Sequence, residues 1–216
     1  MVARIKKLVL RFYKIFNAFP FNNKISAKKT KIKNYGKLLA KCKINARGNN
    51  TIIFHKGGAI RNTAIYIRGD NNIVEIGEGS SIVNGEIWIE DNDNKVTIGS
   101  NTRMCGKIHL ACTEGSSISI GNDCLFSSEI VFRTGDSHSI VDMSGNRINQ
   151  AADILIGDHV WVGHRVLINK GVVIKENSVV GTGAIVTKPF DESNVVIVGI
   201  PAKITKRNVD WKVERI

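Results

Sequence analysis

The chain has 216 residues, 43% of them hydrophobic, and a formal net charge of +12. That is enough for one folded domain with a core, while the apolar stretches are too short to span a bilayer. The basic N-terminus is interrupted too often for a signal peptide, and the four cysteines lack the spacing of a zinc or CxxC site. We therefore expect a cytoplasmic protein with reduced thiols.

The positive charge is concentrated at the N-terminus, because residues 1–69 contain 17 Lys and Arg and no acidic residue precedes Asp70. Such a segment predicts an anionic partner, either a membrane surface, a polyanionic sugar or a nucleic acid. The alternative is a solvated basic face.

Residues 1–29 are predicted to form a basic amphipathic arm. Apolar residues recur at helical spacing before Pro20, namely Ile5, Leu8, Phe12, Ile15 and Phe19. One interpretation is an interfacial helix, residues 1–20, at an anionic inner membrane leaflet. The other is a helix that caps the open end of a solenoid.

The next part of the chain repeats with a period of 22 residues, which indicates a stacked architecture. The repeated apolar positions are Ile32, Phe54, Ile76, Ile98 and Ile120. Polar turns precede the repeats, with the sequences RGNN, RGDNN, DNDN and TEGS. Each unit is predicted to be one coil of a solenoid with a polar turn.

A shorter period follows, with an aliphatic residue at every sixth position: Ile156, Val162, Ile168, Ile174, Val180 and Val186. Six-residue sides are neither helical nor one long strand, and three such sides close one coil of about 18 residues around an aliphatic core. The 36 residues from Ile120 to Ile156 equal six sides. Glycines that follow aliphatic positions are predicted at tight corners, because glycine accepts positive φ; they are Gly77, Gly99, Gly121, Gly157 and Gly163.

The segment ILIGDHVWVGHRVLINKGVVIKENSVVGTGAIVTK, with VVIVGIPAKI after it, resembles the hexapeptide-repeat acyltransferases. Within that family it is similar to the bacterial O-acetyltransferases of capsular-polysaccharide and galactoside type. The resemblance implies an all-β, left-handed parallel β-helix over residues 30–205, with a catalytic loop at about 133–153 and a C-terminal tail at 206–216. It also implies a homotrimer whose sites lie between chains, and an acetyl-CoA donor with no metal.

The catalytic loop contains FRTGDSHSI, and by the resemblance His138 is the catalytic histidine. Histidine titrates near neutral pH and can take the proton of an acceptor hydroxyl. Asp136 or Glu129 is expected to orient the imidazole. Trp161 is expected to line the cleft near acceptor and thioester.

The acetyl-CoA contacts implied by the resemblance are Gly163, His164, Gly181, Thr182, Thr187, Lys188 and Lys206. The glycine backbones suit a narrow pantetheine groove, and Lys188 and Lys206 suit the phosphates by charge. The alternative for these lysines is a purely solubilising role.

The acceptor is expected to be a bacterial surface polysaccharide or its sugar precursor, with no nucleic acid as partner. Cys105 or Lys107 occupies the slot of an active-site asparagine in galactoside enzymes, and their acceptor-binding helices are not recognisable. A small sugar, amino sugar or antibiotic is therefore an alternative acceptor. Two functions of other classes are alternatives on the same fold: a γ-carbonic-anhydrase-like metalloprotein, which the pair His159 and His164 suggests, and a non-catalytic solenoid.

Overall fold

The computed structural model describes Phe12 and residues 22–216. In chain order the strands are β1 (Lys24–Lys28), β2 (Lys31–Asn34), β3 (Leu38–Ala40), β4 (Lys43–Arg47), β5 (Thr51–Phe54), β6 (Ala59–Arg61), β7 (Ala64–Arg68), β8 (Ile73–Ile76), β9 (Ser81–Val83), β10 (Gly85–Glu90), β11 (Lys95–Ile98), β12 (Arg103–Cys112), β13 (Ser117–Ile120), β14 (Leu125–Arg133), β15 (Ile154–Ile156), β16 (Trp161–Val162), β17 (Leu167–Asn169), β18 (Val173–Ile174), β19 (Val179–Val180), β20 (Ile185–Val186), β21 (Val195–Gly199) and β22 (Ala202–Arg207). The predicted N-terminal helix lies outside the described residues, Phe12 apart. Within the described part of the chain, no helix is long and apolar enough to cross a membrane.

The strands form the three faces of a parallel β-solenoid, and each coil visits the faces in the same order. Face 1 consists of β2, β5, β8, β11, β13, β15 and β18. Face 2 consists of β3, β6, β9, β16, β19, β21 and the first residues of β12 and β14. Face 3 consists of β1, β4, β7, β10, β17, β20 and the remainder of β12 and β14. Corner 1 joins face 1 to face 2, corner 2 joins face 2 to face 3, and corner 3 leads to the next coil.

The register confirms the 22-residue repeat over its central part and corrects it at two points. Phe54, Ile76, Ile98 and Ile120 lie in register on face 1. However, Phe54 pairs with Asn34 rather than with Ile32, because the first coil is two residues shorter. Ile120 pairs directly with Ile156, so the 36 residues between them form one coil with an insertion and not six sides.

The hexad prediction is confirmed by the core. All six aliphatic residues of the run from Ile156 to Val186 are buried, with at most 4% of their surface exposed. They continue the stack of isoleucine, valine and phenylalanine side chains from the earlier coils. Burial of one such side chain is worth about 1.5–3 kcal/mol, so the continuous core holds the coils together.

A ladder of buried polar side chains follows corner 3, where the polar turns were predicted. The Oδ1 atom of Asn50 accepts the backbone N–H of Asn72 at 2.9 Å, and Asn72 accepts that of Asn94 in the same way. The ladder continues to Ser116, whose hydroxyl donates to Thr134 Oγ1 at 2.7 Å. Because the asparagine rungs satisfy buried backbone donors and the last rung pairs two buried hydroxyls, corner 3 is fixed up to the residue at which the insertion begins.

Corner 1 contains glycine for a different reason from the one predicted. An added Cβ at Gly77, Gly99 or Gly121 would lie within 2.6 Å of the carbonyl group of the glycine in the next coil. None of these glycines has positive φ; the left-handed conformation falls two residues later, for example at Asn101 and His159. Gly163 also lacks positive φ. Close stacking of backbones, and not the corner dihedral angle, therefore requires glycine at these positions.

The ends of the solenoid differ slightly from the predicted boundaries of 30 and 205. Strand β1 begins at Lys24 and pairs in parallel with β4, so the first coil includes part of the predicted arm. At the other end β22 runs antiparallel to β21 as far as Arg207. The following residues return along the surface, and Trp211 is buried there with 7% of its surface exposed.

Candidate functional site

The predicted catalytic loop is an insertion of residues 134–153 at corner 3. Its base is closed by two backbone hydrogen bonds, from Thr134 N to Ala111 O at 3.1 Å and from Ala152 N to Thr134 O at 2.9 Å. Within the loop, Val141 and Arg147 form an antiparallel bridge. The loop is therefore a folded projection from the corner.

An ion pair attaches the loop to the preceding coil. Arg147 Nη2 donates to Glu114 Oε1 at 2.7 Å, and Ala151 N donates to the other oxygen of Glu114 at 3.4 Å. The Arg147 guanidinium lowers the pKa of the Glu114 carboxyl, so this carboxylate is charged at neutral pH. The contact holds the projecting loop against the corner.

His138 lies near the start of the loop, exposed to solvent, with its backbone fixed on both sides. Its N–H donates to Asp136 O at 2.8 Å, and its carbonyl accepts from Asn149 Nδ2 at 2.8 Å. Among the described residues, none forms a hydrogen bond with the imidazole. The backbone of His138 is thus held in place, and its ring is open to solvent.

Asp136 is bound to partners other than the His138 ring. Its Oδ2 atom accepts from Lys170 Nζ and, at 2.9 Å, from Asn149 Nδ2. The ammonium group of Lys170, followed by the Asn149 amide, lowers the pKa of the Asp136 carboxyl. In this arrangement Asp136 orders the loop backbone, and it does not contact the imidazole that it was predicted to orient.

Glu129, the alternative orienting carboxylate, lies at corner 2. Its carboxylate accepts from Arg165 Nε at 2.9 Å and is 3.9 Å from Lys107 Nζ. The Arg165 guanidinium lowers the pKa of the Glu129 carboxyl. Corner 2 is not the corner that carries the loop, so Glu129 does not orient His138 of the same chain.

Trp161 lies on the outer side of face 2, between Leu125 and Val179 in register. Its indole is 41% exposed, and its ring lies 6.1 Å from that of Trp211 in the C-terminal tail. Trp211 stacks on His159 at 4.3 Å and donates its indole N–H to the His159 carbonyl at 2.8 Å. The C-terminal tail therefore forms one wall beside Trp161. The sequence alone did not indicate this contact of Trp211.

The remaining predicted donor-site residues are divided between two corners. Gly163, His164, Gly181 and Thr182 follow face 2 at corner 2, whereas Thr187 and Lys188 follow face 3 at corner 3. Lys206 is in β22. One chain therefore does not bring them together in a single groove.

The residues at corner 2 have structural roles of their own. An added Cβ at Gly163 would lie 2.7 Å from Thr182 N, and one at Gly181 would lie 2.5 Å from Val198 Cγ1. The His164 Nδ1 atom is 3.1 Å from Ser128 O. The same Nδ1 atom is 2.9 Å from Ser128 Oγ, a hydroxyl that can donate as well as accept, so Ser128 holds the ring on this side of corner 2.

At corner 3 an open groove runs beside Lys188. Its lining is mixed in charge: Lys188, Lys203 and Arg207 are basic, Asp191 and Glu192 are acidic, and Arg207 pairs with Glu192 at 2.7 Å. Lys206 does not line this groove. Sequence reasoning missed Lys203 and Arg207, because only the antiparallel return of β22 brings them beside Lys188.

The two histidines considered as metal ligands point to different parts of the solenoid. His159 is at corner 1, stacked on Trp211, and His164 is at corner 2, bonded to Ser128. The whole width of face 2 separates the two residues, so their imidazoles do not point towards one metal ion. Across Phe12 and residues 22–216, no group of three His, Cys, Asp or Glu residues is arranged to hold a metal ion.

His138 and Trp161 also lie far apart around a single coil. The loop departs from corner 3, between faces 3 and 1, whereas Trp161 is on face 2, which is opposite that corner. The two residues with predicted catalytic roles can therefore meet only across two copies of the chain.

Comparisons with known proteins agree with this architecture. The family model "Bacterial transferase hexapeptide (six repeats)" matches residues 153–188. A polysialic acid O-acetyltransferase of Escherichia coli O1:K1 / APEC is 40% identical over 100 residues, which are 46% of this chain and 32% of that protein. A polysialic acid O-acetyltransferase of Neisseria meningitidis is 35% identical over 107 residues, 49% of each protein. The matches thus span about half, or less, of the length of these curated relatives.

The similarity to a solved structure extends over nearly all the coils. The crystal structure of the polySia specific acetyltransferase NeuO matches with a TM-score of 0.83 and 34% sequence identity, covering 89% of this chain and 88% of that chain. This coverage includes the 22-residue coils, which the family model leaves unmatched. The chain therefore belongs to the hexapeptide-repeat acyltransferases, the family of parallel β-helix enzymes that its sequence resembles.

Proposed function

We propose that this protein is an O-acetyltransferase that transfers an acetyl group from acetyl-CoA to a hydroxyl of a bacterial surface polysaccharide or its sugar precursor. The observation that carries the proposal is His138, exposed on a braced insertion of an acyltransferase solenoid. The named activity of the two polysialic acid O-acetyltransferases and of NeuO supports a capsular polysaccharide as acceptor.

The chemistry requires a base at the acceptor hydroxyl, because a protonated alcohol is a poor nucleophile. The His138 imidazole takes the hydroxyl proton while the oxygen bonds to the carbonyl carbon of the thioester. The carbon–sulfur bond then breaks, and the proton passes from His138 to the thiolate. No acyl-enzyme is needed, and the hydrogen-bonded backbone of His138 fixes the point of the loop from which the imidazole reaches the substrate.

Acetyl-CoA supplies the activated acetyl group, and the basic side of the corner 3 groove suits its phosphates. Lys188, Lys203 and Arg207 offer charged donors of the kind that phosphates prefer. Thr187 lies beside Lys188 and is exposed. We propose that these residues hold the phosphate end of the donor, while the corner 2 residues Gly163, His164, Gly181 and Thr182 hold its pantetheine arm in a neighbouring chain.

A homotrimer is proposed as the active assembly. It would bring the His138 loop of one chain to face 2 of the next, which the opposed positions of His138 and Trp161 require. The loop also exposes apolar side chains, with Ile140 at 56%, Ile148 at 61% and Met143 fully open. Burial of such residues against a second chain would stabilise the contact.

We further propose a cytoplasmic enzyme, where acetyl-CoA is made, held at the inner membrane surface by residues 1–20. Deletion of residues 1–20 is expected to abolish sedimentation with anionic vesicles and to spare transfer to a dissolved acceptor. Lysines and arginines near an anionic surface contribute about 1 kcal/mol each, so the binding should weaken with salt. If the deletion lowers the melting temperature and the intact chain binds no vesicles, the arm is a cap instead.

The function is tested by incubating the full chain with acetyl-CoA and a panel of polysaccharides, polysialic acid included, and detecting acetylated sugar by mass spectrometry. His138→Ala is expected to lower kcat by about 10²–10⁴-fold while the melting temperature stays near that of wild type, since the ring has no hydrogen bond to lose. Ser139→Ala, at the exposed neighbour of His138 in the same loop, is the matched control and should keep wild-type turnover. Wild-type turnover by His138→Ala would refute the role of His138, and failure of the intact enzyme on every polysaccharide would refute the acceptor class.

A further inference from the structure

The first coils of face 3 carry a row of like charges. Lys28, Arg47 and Arg68 lie in register on β1, β4 and β7, and all three are exposed. Neighbouring strands are about 4.8 Å apart, and like charges on adjacent strands destabilise a sheet. We call these three residues the basic row.

The members of the basic row form no ion pairs among the described residues. Glu90, next to Arg68 in register, ends the row without pairing to it. Lys24 in β1 and Lys43 in β4, which are also exposed and in register, add positive charge to two of the three strands of the basic row. An anionic ligand would relieve this repulsion.

Two aromatic rings lie beside the basic row, on the same outer side of face 3. Tyr66 and Trp88 are in register, with ring centroids 4.2 Å apart and planes inclined by 19°. Both are half-buried, and the Arg68 guanidinium lies 5.0 Å from the centroid of Tyr66. We call Tyr66 and Trp88 the aromatic pair. Such rings offer apolar surface together with a polar edge, which suits the face of a sugar ring.

The outer side of face 3 leads from the aromatic pair to the catalytic loop. Trp88 pairs in register with Ala111, and Ala111 pairs with Arg133. The two strand spacings cover about 10 Å. Arg133 Nη2 donates to Ser137 Oγ at 3.0 Å, directly before His138. A polymer lying along these strands would thus run towards the proposed base.

We infer that the basic row and the aromatic pair bind an anionic polysaccharide, the acceptor chain, at a distance from the residue that is acetylated. The carboxylates of acidic sugars match the forked donors of Arg47 and Arg68, and the aromatic pair packs against a sugar ring. The inference rests on the proposed function, because the transfer site on the same solenoid favours a glycan over other polyanions. It narrows the acceptor to an acidic, polymeric one.

The first test measures binding by the full chain without acetyl-CoA. The probes are polysialic acid and polygalacturonate, with neutral dextran, single-stranded DNA and anionic vesicles for comparison. We expect binding to at least one acidic glycan and none to dextran. Arg47→Ala/Arg68→Ala should weaken that binding by at least about 10-fold, and Trp88→Ala should weaken it by about 10-fold at unchanged charge.

Lys31→Ala/Arg61→Ala is the matched control, because it removes two exposed positive charges from the other two faces of the first coils. It should leave glycan affinity nearly unchanged. Equal losses in the two double variants would overturn the inference, as would absence of binding to both acidic glycans. Tighter binding of DNA or vesicles than of either glycan, lost in Arg47→Ala/Arg68→Ala, would also overturn it.

The second test separates this inference from the proposed function. In transfer assays, Arg47→Ala/Arg68→Ala should raise the KM for the polymer about 10-fold or more and leave kcat and the KM for acetyl-CoA unchanged, since binding remote from the chemistry acts uniformly. If Arg47→Ala/Arg68→Ala leaves the KM for the polymer unchanged, the glycan-binding inference is refuted and the proposed transfer function is not. If the protein binds glycan through the basic row and the aromatic pair but transfers no acetyl group, the proposed function is refuted and the glycan-binding inference is not.

Discussion

Lys37 is a charged side chain inside the hydrophobic prism. It is fully buried, and its ammonium group donates to the carbonyls of Gly57 at 2.6 Å and Ser80 at 2.8 Å. Burial lowers the pKa of Lys37 to about 8, while the nearby Glu78 carboxylate acts in the opposite direction. Nothing in the sequence distinguishes this lysine from its many exposed neighbours, because only the stacking of three coils encloses it.

The lowered pKa predicts a pH dependence of stability that depends on one residue. Between pH 8 and 10.5 the unfolded chain holds the Lys37 proton and the folded chain releases it, so the free energy of unfolding rises with pH. Below pH 8 the penalty for burying the charge is present in full. Relative to Lys37→Met, wild type should gain about 3 kcal/mol across this interval. Urea unfolding of both proteins at several pH values measures it, and parallel pH profiles would contradict the lowered pKa.

At the candidate site, as at Lys37, the sequence predicts which residues stand out but not which residues contact them. His138 stood out because its loop interrupts a strict repeat, and the structure places it on that loop. Lys170 and Asn149, which bind Asp136, gave no signal, because their approach depends on how corner 3 of one coil stacks on the next. The short-range spacing that suggested Asp136 as the partner of His138 says nothing of such competitors.

At the scale of single elements, the glycines of corner 1 determine how closely one coil stacks on the next. The repeat period predicted their positions correctly, since period and register are properties of the sequence. Their purpose was predicted wrongly, because φ is set by the path of the corner. The stacked carbonyl that excludes a Cβ belongs to a residue 22 positions away for Gly99. The residues of one coil do not reveal how close the backbone of the next coil lies.

Gly99→Ala is therefore expected to destabilise the protein by about 1–3 kcal/mol. Its Cβ would lie 2.5 Å from the backbone carbonyl of Gly121, which cannot move without displacing the next coil. Gly106→Ala is the control, since its nearest neighbour would be Ser128 Cβ at 3.8 Å, and its change should stay within about 0.5 kcal/mol. Thermal or urea unfolding compares the two, and equal effects would show that stacking distance is not what requires glycine.

At the scale of the whole molecule, the solenoid distributes the residues of the proposed sites around its circumference. The loop with His138 leaves corner 3, the exposed Trp161 is on face 2, and the basic row is on face 3. The hexads and their resemblance to a known family were sufficient to predict the fold, and the trimer that the resemblance implies stays a prediction. They did not predict that the expected acetyl-CoA contacts of one chain lie at two different corners. The corner depends on the angular position of each residue within its coil.

A site shared between chains makes a prediction that a single-chain site does not. His138→Ala and Trp161→Ala homotrimers should each be nearly inactive, the first for lack of a base and the second for lack of the cleft wall. Unfolding and refolding the two variants together at equal concentration should restore activity. In a closed ring each interface pairs one loop with one face, so about one quarter of the interfaces would combine an intact His138 with an intact Trp161. Mixing the folded variants without unfolding is the control, and it should restore nothing while the trimers stay intact. If the refolded mixture is no more active than its parents, His138 and Trp161 do not meet across an interface.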